Sequence, residues 1–194
     1  MATLHKTTQQ SSDQESIAQA LKRCRRTCRA KPGNPAAWEA LANVQIAAGD
    51  FAAVAKSYQR VVDLQPENST AHYNLAIACS RLERTHEAMA HLQKVIALDP
   101  RYTPAIVLLA EYYRGVGDFP ETIQLLRAGF ADNPDNLRIN WLLGLTLQDT
   151  GQLEPAAAFF SKACQLMRSC EQEPQDFYPT HDPDLGDTFK YTAA

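Results

Sequence analysis

The sequence predicts an all-α protein, an α-solenoid of four helix-turn-helix repeats behind one capping helix. Three observations lead there. Pro66, Pro100 and Pro134 stand 34 residues apart. Gly49, Gly117 and Gly151 fall on the same period, with Glu83 in the one remaining place. The pair Leu41-Ala42 recurs as Leu75-Ala76, Leu109-Ala110 and Leu143-Gly144. A period of this length marks stacked supersecondary units, none of which can bury its apolar face alone.

Taken in order, residues 1–11 are polar and are expected to be a disordered N-terminus. Residues 12–34 predict a capping helix, the degenerate second half of a leading repeat. Ser12 and Glu15 have capping-box spacing, and Ile17, Ala20, Leu21, Cys24 and Cys28 form an apolar stripe. Pro32 lies 34 residues before Pro66, which puts this helix in register. Its other face carries Lys22, Arg23, Arg25, Arg26, Arg29 and Lys31. Two main readings stand for that face: a solvated surface, or a contact for an acidic peptide or tail; nucleic acid is only weakly signalled, since one short basic helix carries no interleaved aromatics.

The repeats are expected at 35–68, 69–102, 103–136 and 137–170. In each, the glycine takes the left-handed conformation that ends the first helix, and the proline ends the second. The small residue of the Leu-Ala pair lets the two helices approach, and aromatic residues such as Tyr58 and Phe160 fill the space between. Residues 171–194 change character. Pro174, Pro179 and Pro183 interrupt any period, and six acids stand against Lys190 alone. Phe177, Tyr178, Phe189 and Tyr191 are unusual for a purely solvating tail. It reads as a linker to a further domain, as a segment lying along the array, or as a motif bound by a partner.

Composition limits the function. A net charge of −3 speaks against a general nucleic-acid binder. Five cysteines, an odd number, argue against a disulfide framework and for a reducing compartment. The first residues show no signal peptide or lipidation motif, and no apolar run approaches the roughly 18 residues of a membrane span. A cytoplasmic location without membrane contact is therefore expected.

The run Trp38-Glu39-Ala40-Leu41-Ala42, followed by Gly49-Asp50-Phe51, Tyr58 and Pro66, resembles a tetratricopeptide repeat. Later copies depart from it at His72 in place of Trp38, at Glu83, at Gly129 and at Arg168. The resemblance implies a right-handed array whose first helices line a concave groove that holds a peptide or protein. On that basis the partner-binding residues are Asn43, Tyr73, Asn74, Ile77, Arg81, Val107, Glu111, Arg114, Arg138, Trp141 and Leu145. Asparagine amides both donate to and accept from a peptide backbone, arginines grip carboxylates, and Tyr and Trp anchor interfaces. Competing roles stand beside these: Trp141 as packing between repeats, Ile77 and Val107 as core, the arginines as plain surface.

Tetratricopeptide domains that clamp a chaperone's acidic C-terminus use lysine, arginine and asparagine. Asn43 and Asn74 match the asparagine places, but Glu39, Pro104 and Leu108 occupy the basic ones, so this ligand is not expected. Signals of catalysis fail as well. His86 and His91 are five apart, about 140° around a helix, unlike a zinc-protease pair, and read as surface residues. Gly115-Val116-Gly117 ends a helix rather than following a strand, so it is no dinucleotide loop. No metal or cofactor is expected, and Cys24 and Cys28 read as small core-facing residues. The expected function is a non-enzymatic scaffold or adaptor. Self-association through Cys164, Leu166 and Met167 is a related expectation. The alternative is the substrate- or partner-selecting arm of a larger methyltransferase, sulfotransferase or glycosyltransferase.

Overall fold

The computed structural model describes residues 2–172, with side chains over 15–169; the acidic tail beyond them lies outside the described residues. The chain divides into two compact units at Asp132 and Asn133. The first unit contains α1 (Ala2–Ala30), α2 (Pro35–Ala47), α3 (Phe51–Leu64), α4 (Ser69–Arg81), α5 (Thr85–Leu98), α6 (Thr103–Gly115) and α7 (Phe119–Asp132). The second contains α8 (Leu137–Asp149) and α9 (Leu153–Gln172). Among the described residues every regular element is a helix. Within the first unit each helix packs on the next in sequence, which is solenoid architecture. In the second, α8 and α9 form one hairpin.

Residues 2–11, expected to be disordered, are helical, and α1 starts at Ala2. No Gly or Pro interrupts residues 2–30, so nothing local stops the helix there. At the other end α9 runs through Arg168, where the earlier repeats carry proline, and continues to Gln172.

The turns explain the glycine column. Gly49, Gly117 and Gly151 have φ of 72°, 80° and 76°, and Glu83 adopts the same region at 60°. That conformation turns the following N–H back toward the helix it leaves. Asp50, Arg84, Asp118 and Gln152 donate to the carbonyls of Gln45, Cys79, Tyr113 and Leu147 at 2.8–3.0 Å. All four copies close the same way, so Glu83 pays the left-handed strain that glycine avoids. Replacing it (Glu83→Gly) is expected to stabilise the first unit by about 1 kcal/mol in urea titration. An unchanged or lowered midpoint would count against strain at this turn.

The helix starts repeat too. Asn34, Asn68 and Asn136 cap α2, α4 and α8 by accepting from Ala36, Ala71 and Ile139 at 3.1, 2.9 and 3.0 Å. Four residues on, a side chain donates back to the carbonyl of the preceding proline. Trp38 Nε1 donates to Pro32 O at 2.9 Å, and Asn140 Nδ2 to Pro134 O at 2.8 Å. His72 Nε2 meets Pro66 O at 3.1 Å. The third repeat has neither device: Tyr102 makes no side-chain cap, and the donor position holds apolar Ile106.

The core of the first unit runs through Ala42, Val54, Tyr58, Val61, Leu75, Ala76, Leu92, Val95 and Leu109, all buried. Cys28 joins α1 to α2 against Ala37 and Leu41, with Cys24 and Leu21 partly buried beside it. In the second unit Gly144 is required by packing. A Cβ there would lie 2.7 Å from ring carbons Cδ1 and Cε1 of Phe160.

Candidate partner-binding surface

The predicted residues of the first unit fall on three first-helix stripes. On α4, Tyr73, Asn74, Ile77 and Arg81 lie within about 100° of one another around the axis, and all are half-buried. On α6, Val107, Glu111 and Arg114 form a similar half-buried stripe. On α2, Asn43 is exposed, beside Ile46 at 44% exposure. Leu108, the neighbour of Val107, turns inward and belongs to the core.

These side chains are held in place by the layer behind them. Asn43 Oδ1 accepts from Tyr58 OH at 3.4 Å. The Tyr73 ring meets that of Tyr102 at a tilt of 45°, with centroids 5.2 Å apart. The Arg81 guanidinium lies 5.4 Å over the Phe51 ring. Tyr73 and Ile77 also pack against the core, so they serve both the fold and the surface. Burial raises the Tyr58 phenol above its ordinary value, and the Glu39 charge adds to the rise. It therefore stays protonated and keeps donating to Asn43.

In the second unit, Arg138 and Trp141 are exposed and Leu145 is half-buried on α8. Trp141 is 42% exposed yet meets Phe160 edge-on at 5.2 Å. The packing role weighed for it from sequence is met within its own helix pair, by Phe160 of α9. Two open hollows lie at other residues of the first unit: one of about 410 Å³ across α2 and α3, lined by Trp38, Gln45 and Arg60 among others, and one of about 600 Å³ at residues 65–68.

His91 corrects a sequence reading. It is half-buried, not a surface residue like exposed His86, and its Nδ1 lies 3.2 Å from Nδ1 of His72. His72 Nε2 faces a carbonyl and so carries a proton, which leaves its Nδ1 to accept from Nδ1–H of His91. Burial, with the neighbouring His72, lowers the pKa of His91 and favours its neutral form. The spacing of His86 and His91 along one helix hid this partner, which comes from the helix before. Other chemistry is muted. Burial pushes the Cys28 and Cys79 thiols up, away from reactive thiolate. Among the described residues no three His, Cys, Asp or Glu converge to hold a metal, and no helix is long and apolar enough to cross a membrane.

A family model of the tetratricopeptide repeat matches residues 39–103 and 107–174. The chain belongs to the tetratricopeptide repeat family. Its match to the Superkiller complex protein 3 of Mus musculus is 27% identical over 100 residues, 52% of this chain and 6% of that protein. The anaphase-promoting complex subunit 3 of Dictyostelium discoideum matches at 26% over 77 residues, 40% of this chain and 8% of that one. This tetratricopeptide chain thus aligns with only a small part of either. Among solved structures, MamA superposes with a TM-score of 0.75 at 21% identity, over 84% of this chain and 95% of that one. YrrB, described as a TPR protein with an unusual peptide-binding site, superposes at 0.67 and 18% identity, over 85% and 82% of the two chains. At such identities the likeness is one of fold.

Proposed function

We propose that this protein is a protein–protein interaction scaffold that receives a peptide or protein partner on its first-helix stripes. The observation that carries the reading is the α4 stripe. Tyr73, Asn74, Ile77 and Arg81 put an aromatic anchor, a backbone-matching amide, an apolar contact and a cation on one half-buried face. Contacts from behind fix Tyr73 and Arg81, which lowers the entropy cost of ordering them on binding. Val107, Glu111 and Arg114 extend the same chemistry on α6, and Arg138, Trp141 and Leu145 repeat it in the second unit. The mixture suits an extended or helical segment with apolar anchors and at least one carboxylate. Its family membership and the peptide-binding site named for YrrB support the reading. The partner-binding set remains the eleven residues named from sequence.

Affinity capture from native lysate tests it, comparing wild type with two full-length variants. One carries Asn74→Ala and Arg114→Glu, the other Arg138→Glu and Trp141→Ala. A dominant partner of the wild type is expected to fall at least tenfold in one variant or both, as loss of a hot-spot residue costs about 2 kcal/mol or more. Equal capture by both variants, with helicity and melting unchanged, would overturn the first-helix surface as the site.

A further inference from the structure

The face of α1 turned away from α2 is the most strongly charged surface among the described residues. Lys22, Arg23, Arg25, Arg26, Arg29 and Lys31 are all exposed. Lys22, Arg25, Arg26 and Arg29 have i, i+3, i+4 and i+7 spacing, so they form one stripe about 10 Å long. No acid follows Glu15 in this helix. Several cations elsewhere have a carboxylate neighbour: Arg60 with Asp63, Arg84 with Glu87, Arg101 with Asp132 and Lys162 with Asp135. None of the six, five on α1 and Lys31 just past its end, has an ion pair among the described residues. A row of like charges on one helix repels itself, which favours an anionic occupant.

We infer that this basic face is a second binding surface, distinct from the first-helix stripes, and that it receives the acidic segment 171–194 of this same protein. The chain as a whole is only −3, yet its charges are separated. Six cations cluster at 22–31, and six carboxylates (Glu171, Glu173, Asp176, Asp182, Asp184 and Asp187) cluster at 171–194 beside one lysine. The helix offers little to other polyanions. The stripe has no aromatic residue on which bases stack. Its apolar side is occupied by Ala37 and Leu41 through Cys28, so it has no apolar face to insert in a bilayer. The inference stands independently of the proposed partner surface.

The test uses the full chain as receptor, with the six acids of 171–194 changed to their amides so that its own segment does not compete. A fluorescent peptide of residues 171–194 is titrated against it and followed by anisotropy. Saturable binding is expected at about 0.05 M salt, weakening strongly toward about 0.5 M as screening shortens the range of the charges. Arg25→Glu, Arg26→Glu and Arg29→Glu together are expected to weaken it roughly tenfold or more, since several exposed ion pairs act jointly. Arg→Gln replacements at the same sites give an intermediate loss, and repeat the test should the reversed chain fold poorly. Affinity insensitive to these changes, or no binding to the receptor, would overturn the inference. So would binding of a single-stranded RNA or a phosphatidylserine vesicle at this face while the peptide fails.

Discussion

Leu109→Asp is expected to abolish the folded first unit. Leu109 is 3% exposed in α6 and belongs to the continuous core that joins the repeats. Removing a buried leucine costs about 2–5 kcal/mol, and a carboxylate without a cation in the same place costs several more. Against a typical total stability of about 5–15 kcal/mol, the sum leaves little folded population. Far-UV circular dichroism and urea titration check this, with Leu109→Met as the conservative control, expected to cost less than about 1.5 kcal/mol. A soluble Leu109→Asp protein with wild-type helicity and midpoint would contradict the packing described for α6.

The second large effect is expected at Gly144. Its missing Cβ is where Phe160 sits, since an added carbon would lie 2.7 Å from the ring. Gly144→Val puts a branched side chain there, without the helix-propensity gain that alanine would bring. The cost is expected at about 3 kcal/mol, the upper range of overpacking. Displacing Phe160 also breaks its edge-on contact with Trp141, so tryptophan fluorescence should shift along with stability. Gly144→Val combined with Phe160→Ala is expected to recover a large part of the loss, because the two side chains compete for one space. Strictly additive losses would show that the clash is not the cause.

The fold was legible because its determinants are local and repeat every 34 residues. The glycine column gave the turns, the proline column the helix ends, and the leucine-alanine pairs the packing layer. The same period contained more than was taken from it. Asn34, Asn68 and Asn136 form a capping column, and Trp38, His72 and Asn140 a column of donors to proline carbonyls. Reading His72 only as a departure from Trp38 missed that both supply a ring N–H at one place. The surface was harder to read. Helical spacing put Tyr73, Asn74, Ile77 and Arg81 on one stripe, but their supports come from Tyr102 and Phe51, residues distant in sequence. The His72–His91 pair has the same origin: α4 and α5 must pack before the rings meet. The helical start of α1 was missed because a polar, Gln- and Ser-rich stretch without apolar period carries no signal for or against a helix.

The third repeat lacks both the asparagine cap and the proline-carbonyl donor that the others use at the same places. In a solenoid, neighbouring repeats are coupled through such joints, and cooperativity breaks where one joint is weak. The α5–α6 junction is then the natural seam at which the first unit opens below its global unfolding. Residues 99–106 would be the first of its interior to exchange amide hydrogens with solvent, dividing the array into two foldons of unequal lifetime.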